Sequence, residues 1–117
     1  MKENKLVELS MDFSVDIINL FKYLKSNHET IISTQIGRNG TSIGANIHEA
    51  QCAQGTKAFI SKFEIALKEC SETEGWLHLL FNTNGIDEET YKNYRNLCGR
   101  IRRMLIASCK TLKENIK

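Results

Sequence analysis

One apolar line crosses the stretch of this chain that most resembles a loop. Ile32, Ile36, Gly40, Ile43, Ile47 and Ala50 recur at spacings of 4, 4, 3, 4 and 3, which is one face of an α-helix. The same stretch carries Gly37, Gly40 and Gly44, and its Asn39-Gly40 pair is a strong turn signal. A helix through that pair makes one rod, whereas a turn there cuts the segment in two. Periodicity alone leaves both readings open. The whole chain lacks proline, which favours long uninterrupted helices over a β-rich or loop-rich fold.

Three other segments carry helical spacing. The first helix is expected from about Lys5 to Asn27, with Met11, Val15, Ile18 and Phe21 beside Phe13, Ile17, Leu20 and Leu24 in one broad stripe. Asn27-His28 reads as its break. The second spans about Glu29 to Gln54 and ends before Gly55, a good residue to follow a helix. Thr56 is then the expected N-cap of the third, whose line is Phe59, Phe63, Ala66, Cys70, Thr73, Leu77 and Leu80. Asn84-Gly85 stops it. Asp87 begins the fourth, with Glu88 and Glu89 near the positive end of the helix dipole. Its core line is Tyr91, Tyr94, Cys98, Ile101, Leu105, Ser108 and Leu112. Strict alternation of 3 and 4 favours near-parallel packing with knobs in holes. Rods of similar length with very short links must run up-down-up-down.

The run TSIGANIHEA, residues 41–50, has Arg38 four residues before its serine. It resembles the signature of a bacterial family known as four-helix bundle proteins, or 23S rRNA-intervening-sequence proteins. That family is related to the accessory proteins of diversity-generating retroelements. Arg38, Ser42, Asn46 and Glu49 match its signature positions, as do Thr41, Ile43, Ala45 and Ile47. The resemblance covers nearly the whole chain. It implies that the second helix is continuous and that the fold is the same all-α bundle, while the length of 117 residues is that of a single domain, residues 1–117. The expected architecture is an up-down-up-down antiparallel four-helix bundle with helices at about 5–27, 29–54, 56–84 and 87–116. It implies no defined activity.

As a helix, the second segment places Gly37, Gly40 and Gly44 within about 60° of one another. Each glycine costs about 1 kcal/mol relative to alanine, so three together imply close approach of another helix. They do not form a phosphate loop, which needs a lysine that this segment lacks. On the other flank Gln35, Arg38, Ser42, Asn46 and Glu49 form a polar ladder. Arg38 and Glu49 lie roughly 16 Å apart along the axis, too far to share one small substrate. The ladder reads as structural, bonding to neighbouring helices or subunits and fixing their register. Glu74 is the expected partner of Arg38.

The net charge is only +2, but it is unevenly spread. Lys92, Arg95, Arg100, Arg102, Arg103, Lys110, Lys113 and Lys117 face a single acid, Glu114, in the last 27 residues. All except Arg100 fall within an arc of about 100°. Lys92, Arg95, Arg102, Arg103, Lys110, Lys113 and Lys117 therefore make a cationic strip able to track phosphates. A solvated face, or one neutralised between subunits by Glu64, Glu69 and Glu72, is the competing reading. Ile65, Trp76 and Leu79 lie off the main stripe of helix three and mark an oligomer interface. The resemblance to the retroelement branch implies a homopentamer, and a reverse transcriptase as a possible partner protein.

The expected function is a non-enzymatic homo-oligomer that binds RNA or DNA non-specifically. The alternative is a protein-interaction scaffold whose basic face meets an acidic partner. No glutamate is followed by histidine three residues on, as di-metal bundles require. No arginine–histidine pair has the spacing of helical-bundle ribonucleases. Cys52, Cys70, Cys98 and Cys109 lack zinc or redox spacing and read as reduced structural thiols. His28, His48 and His78 are scattered. No cofactor or metal is expected. The first residues, MKENKLVELSMDF, do not read as a secretory signal, and no stretch suffices to span a membrane. The expected location is the cytoplasm.

Overall fold

The computed structural model describes residues 2–116, with side chains from Lys5 onward. Four helices follow in order: α1 (Lys2–Ser26), α2 (Ile32–Ala50), α3 (Thr56–Asn82) and α4 (Glu88–Asn115). They stack side by side into a rod of 49 × 22 × 21 Å. Each packs chiefly on its neighbour in sequence, and of the four pairs that touch, α1 and α4 do so least. The connections are too short for anything but an alternating up-down path.

Helix α2 is continuous through Asn39-Gly40, so the turn signal is overridden by burial of the isoleucine line. Ile36, Ile43 and Ile47 are wholly buried. The helix is shorter at both ends than 29–54. Glu29 stands outside it, because its carboxylate accepts the amides of Ile31, Ile32 and Ser33 at 3.2, 2.8 and 2.7 Å. It caps the free N–H groups of the first turn rather than joining the helix. At the far end Gln51, Cys52 and Ala53 each donate three residues back, to His48, Glu49 and Ala50, and the helix unwinds. Gly55 takes φ 90 and the N-cap position of α3, a conformation that glycine adopts without strain. Thr56 is therefore the first helical residue and not the cap.

The break after α1 falls where expected, with His28 left-handed at φ 64. Helix α3 stops at Asn82 rather than residue 84, and Asn84 is the left-handed residue at φ 61. Helix α4 starts after Asp87, whose Oδ1 accepts the Thr90 amide at 2.8 Å. Hydrogen bonds from Thr90 hold the Asp87 carboxyl below its ordinary range. A depressed folded-state pKa adds stability above the unfolded value of about 3.9, lost as pH falls through the folded one. Asp87→Ala should lower the melting temperature at neutral pH. Thermal scans should show the gap to wild type narrowing as pH drops below about 4.

The core runs the length of the rod. Phe13, Ile17, Leu20 and Leu24 of α1 meet the isoleucines of α2, Phe63, Ala66, Cys70, Leu77 and Leu80 of α3, and Cys98, Ile101 and Leu105 of α4. One expectation for α1 fails. Met11, Val15 and Ile18 are not part of the core stripe but are 51%, 53% and 44% exposed. They lie on the side of α1 opposite Phe13 and Ile17, because a broad apolar arc can bury only the half that meets other helices.

The glycine strip of α2 is where α1 comes close. A Cβ on Gly40 would lie 2.7 Å from Ile17 Cγ1, and one on Gly44 would lie 2.9 Å from Ser14 Oγ. Gly37 faces the Phe21 ring, which a Cβ would meet at 3.2 Å.

Candidate nucleic-acid interface

The α4 bases share one side of the rod, along the seam with α3, but they differ in electrostatic state. Arg102 Nε lies 3.2 Å from Glu74 Oε1 and Lys113 Nζ lies 2.6 Å from Glu64 Oε2. Lys92 pairs with Glu88 at 2.8 Å, one turn away on the same helix. The Arg95 guanidinium sits 5.2 Å from the centre of the Tyr91 ring, a cation–π arrangement. Among the described residues, neither Arg103 nor Lys110 has a carboxylate within ion-pair distance, and both are exposed. Arg100, to one side, is exposed as well and has no carboxylate partner among the described residues. Lys117 lies outside the described residues. Exposed Ile106 stands between Arg103 and Lys110. The strip is thus partly neutralised by α3, and its free charge concentrates in the middle of α4. The ion pair with Glu64 holds the Lys113 ammonium above its ordinary pKa.

Of the polar ladder of α2, only Glu49 bonds to another helix, α3, among the described residues, and Gln35 is exposed. The ladder therefore does not bind the neighbouring helices along its length, contrary to expectation. Asn46 Nδ2 donates to the Ser42 carbonyl at 2.8 Å, within the helix. Glu49 pairs with Lys62 of α3 at 2.8 Å, which lowers its pKa. Arg38 is exposed, and Glu74 is not its partner. Glu74 faces the opposite seam and binds Arg102. The group that ties the two helices together is one that sequence reasoning missed. Asn39 Nδ2 donates to Glu69 Oε1 and to Glu72 Oε1, both at 2.8 Å. Its Oδ1 accepts the Trp76 indole N–H at 2.8 Å. Asn39 sits between the ladder and the isoleucine line, but its pairing with Gly40 disguised it as a turn residue.

Ile65 and Leu79 are exposed on α3, while Trp76 is half-buried against the core beside them. Cys70, Cys98 and Cys109 are buried and Cys52 is exposed. Cys98 Sγ donates to the Cys70 carbonyl at 3.7 Å. Its contact with Cys70, and then its burial, push the Cys98 thiol far up, so it is a packing group and not a nucleophile. Among the described residues no three histidines, cysteines or acids gather as a metal cluster. No helix among them is long and apolar enough to cross a membrane. An apolar groove of about 660 Å³ opens at one end of the rod, lined by Leu6, Phe59, Phe63, Met104 and Leu112 among others. None of its lining residues is ionisable.

Comparison with known proteins agrees with this architecture. A solved structure from Bacteroides thetaiotaomicron is described as a protein with unknown function from the S23 ribosomal protein family. It is 47% identical, covers 94% of this chain and 99% of its own, and superposes with a TM-score of 0.92. No curated protein matches the chain. The model of the 23S rRNA-intervening sequence protein family matches residues 2–107. With that match over nearly the whole bundle, the chain belongs to the 23S rRNA-intervening sequence protein family.

Proposed function

We propose that this protein is a non-enzymatic, self-associating bundle that binds RNA or DNA through the outer face of α4, without sequence preference. What carries the reading is the exposed pair Arg103 and Lys110, two turns apart and matched by no carboxylate among the described residues. Arg95 and Arg100 extend the field along the same helix. Such cations contact phosphates and release counterions, which gives affinity without reading bases. Exposed Ile65 and Leu79, beside Trp76, are the surface for self-association. A ring of five rests on the resemblance to the retroelement accessory proteins, and repetition of the strip around a ring raises avidity.

The test is binding of labelled random RNA across a salt series. Arg103→Gln with Lys110→Gln should weaken binding at low salt and flatten the slope by about 1–2 units, with helicity unchanged. Arg102→Gln or Lys113→Gln should matter less, since Glu74 and Glu64 already hold those charges. Unaltered RNA binding by the double variant would remove the strip from the account. Capture of an acidic polypeptide with no affinity for RNA would favour the scaffold reading instead.

A further inference from the structure

The exposed side of α1 is patterned for a partner of a particular kind. Glu8, Met11, Val15, Ile18, Lys22 and Lys25 follow at spacings of 3, 4, 3, 4 and 3. This is the spacing of a coiled-coil seam, with apolar residues at its three central positions. All six are exposed, and the three apolar members are about half accessible at 51%, 53% and 44%. They point away from the core, so no other helix of the same chain can cover them. The seam is apolar in its middle, negative at its N-terminal end and positive at its C-terminal end. Among the described residues, none of Glu8, Lys22 and Lys25 has an ion-pair partner.

That order of charges selects both occupant and direction. A second copy laid parallel would set Glu8 against Glu8, and Lys22 and Lys25 against themselves, with like charges at both ends. A second copy laid antiparallel puts Glu8 beside Lys22 and Lys25 of the other chain, at each end of the contact. In the same register Val15 packs beside Ile18 of the other copy, and Met11 lies along the aliphatic stem of its Lys22. Unlike ends attract and the wrong orientation repels, which is how charged flanks fix pairing in coiled coils. We infer that the outer face of α1 is a self-complementary docking surface, pairing two copies of this chain with their first helices antiparallel.

The contact is isologous, since each copy offers the same patch. It uses a different helix from the α3 surface of the proposed ring and the α4 strip, so it stands or falls independently of them. A few turns of helix bury less than the roughly 1,200 Å² of a standard interface. The pair is therefore weak alone and forms with rising protein concentration.

Site-directed cross-linking tests direction. Full-length chains carrying Glu8→Cys and Lys25→Cys, each with Cys52→Ser, are mixed and treated with a short bis-maleimide. Peptide mapping should find 8–25 links between chains in excess over 8–8 and 25–25 links. Charge reversal tests the cause. Glu8→Lys should reduce concentration-dependent association in sedimentation runs. Adding Lys22→Glu and Lys25→Glu to that variant should restore it. All positions are exposed, and circular dichroism verifies the fold. Links dominated by 8–8 and 25–25 would overturn the antiparallel arrangement. Absence of links, or failure of the charge swap to restore association, would overturn the surface itself.

Discussion

Gly40→Ala should destabilise this protein, although the same change raises helix propensity by about 1 kcal/mol. The new methyl would sit 2.7 Å from Ile17 Cγ1 and 2.8 Å from both Cδ1 and Cγ2. Ile17 is wholly buried and β-branched, so it has little room to rotate away. Overpacking of this kind costs about 1–3 kcal/mol and sometimes more. A net loss of about 2 kcal/mol lowers the melting temperature by roughly 8 °C or more. Gly75 is the control, because nothing lies within 4 Å of a Cβ placed there. Gly75→Ala should stabilise by about 0.5–1 kcal/mol. Adding Ile17→Val to Gly40→Ala should recover part of the loss, which urea titration of the four proteins will measure. A stabilised Gly40→Ala would mean that α1 does not approach α2 at that point.

Asn39→Leu should cost about 2 kcal/mol, through the polar groups it strands. The amide serves Glu69, Glu72 and Trp76, all at 2.8 Å. Leucine would leave two neighbouring carboxylates facing each other and an indole N–H without its acceptor. Water reaches the exposed Glu72 and softens the effect there, whereas Glu69 and Trp76 are half-buried. Trp76 is the single tryptophan of the chain, so its emission reports this seam directly. A shifted emission in the native state, together with a lower urea midpoint, is the expected outcome. Asn39→Asp should be worse, since it adds a third carboxylate to the pair.

The architecture was legible because burial and spacing agree over long stretches. Phe63, Ala66, Cys70, Thr73, Leu77 and Leu80 were placed in the core by period alone and are buried. The glycines of α2 implied a close neighbour, and α1 occupies that place. Helix ends were less legible, because a cap can act from outside the helix. Glu29 reads as a helical residue until its three amide partners are known. On α1 eight apolar residues span too wide an arc to show which half is core. Among the site residues, the cationic side of α4 could be read from the helical wheel. Which of its charges are spent on Glu64 and Glu74 could not, since that depends on how α3 and α4 are rotated against each other. Asn39 was hidden by its own neighbour, for Asn-Gly signals a turn only where nothing stronger holds the backbone helical.

Because each helix leans mainly on the one beside it in sequence, and the first meets the last only lightly, order can spread along the chain as it is made. The α1–α2 pair needs nothing from α4 to begin closing, so little loop entropy is paid in advance. The flank between α1 and α4 is therefore the face with least to hold it shut, and hydrogen exchange should find its amides opening more readily than those facing α2 and α3.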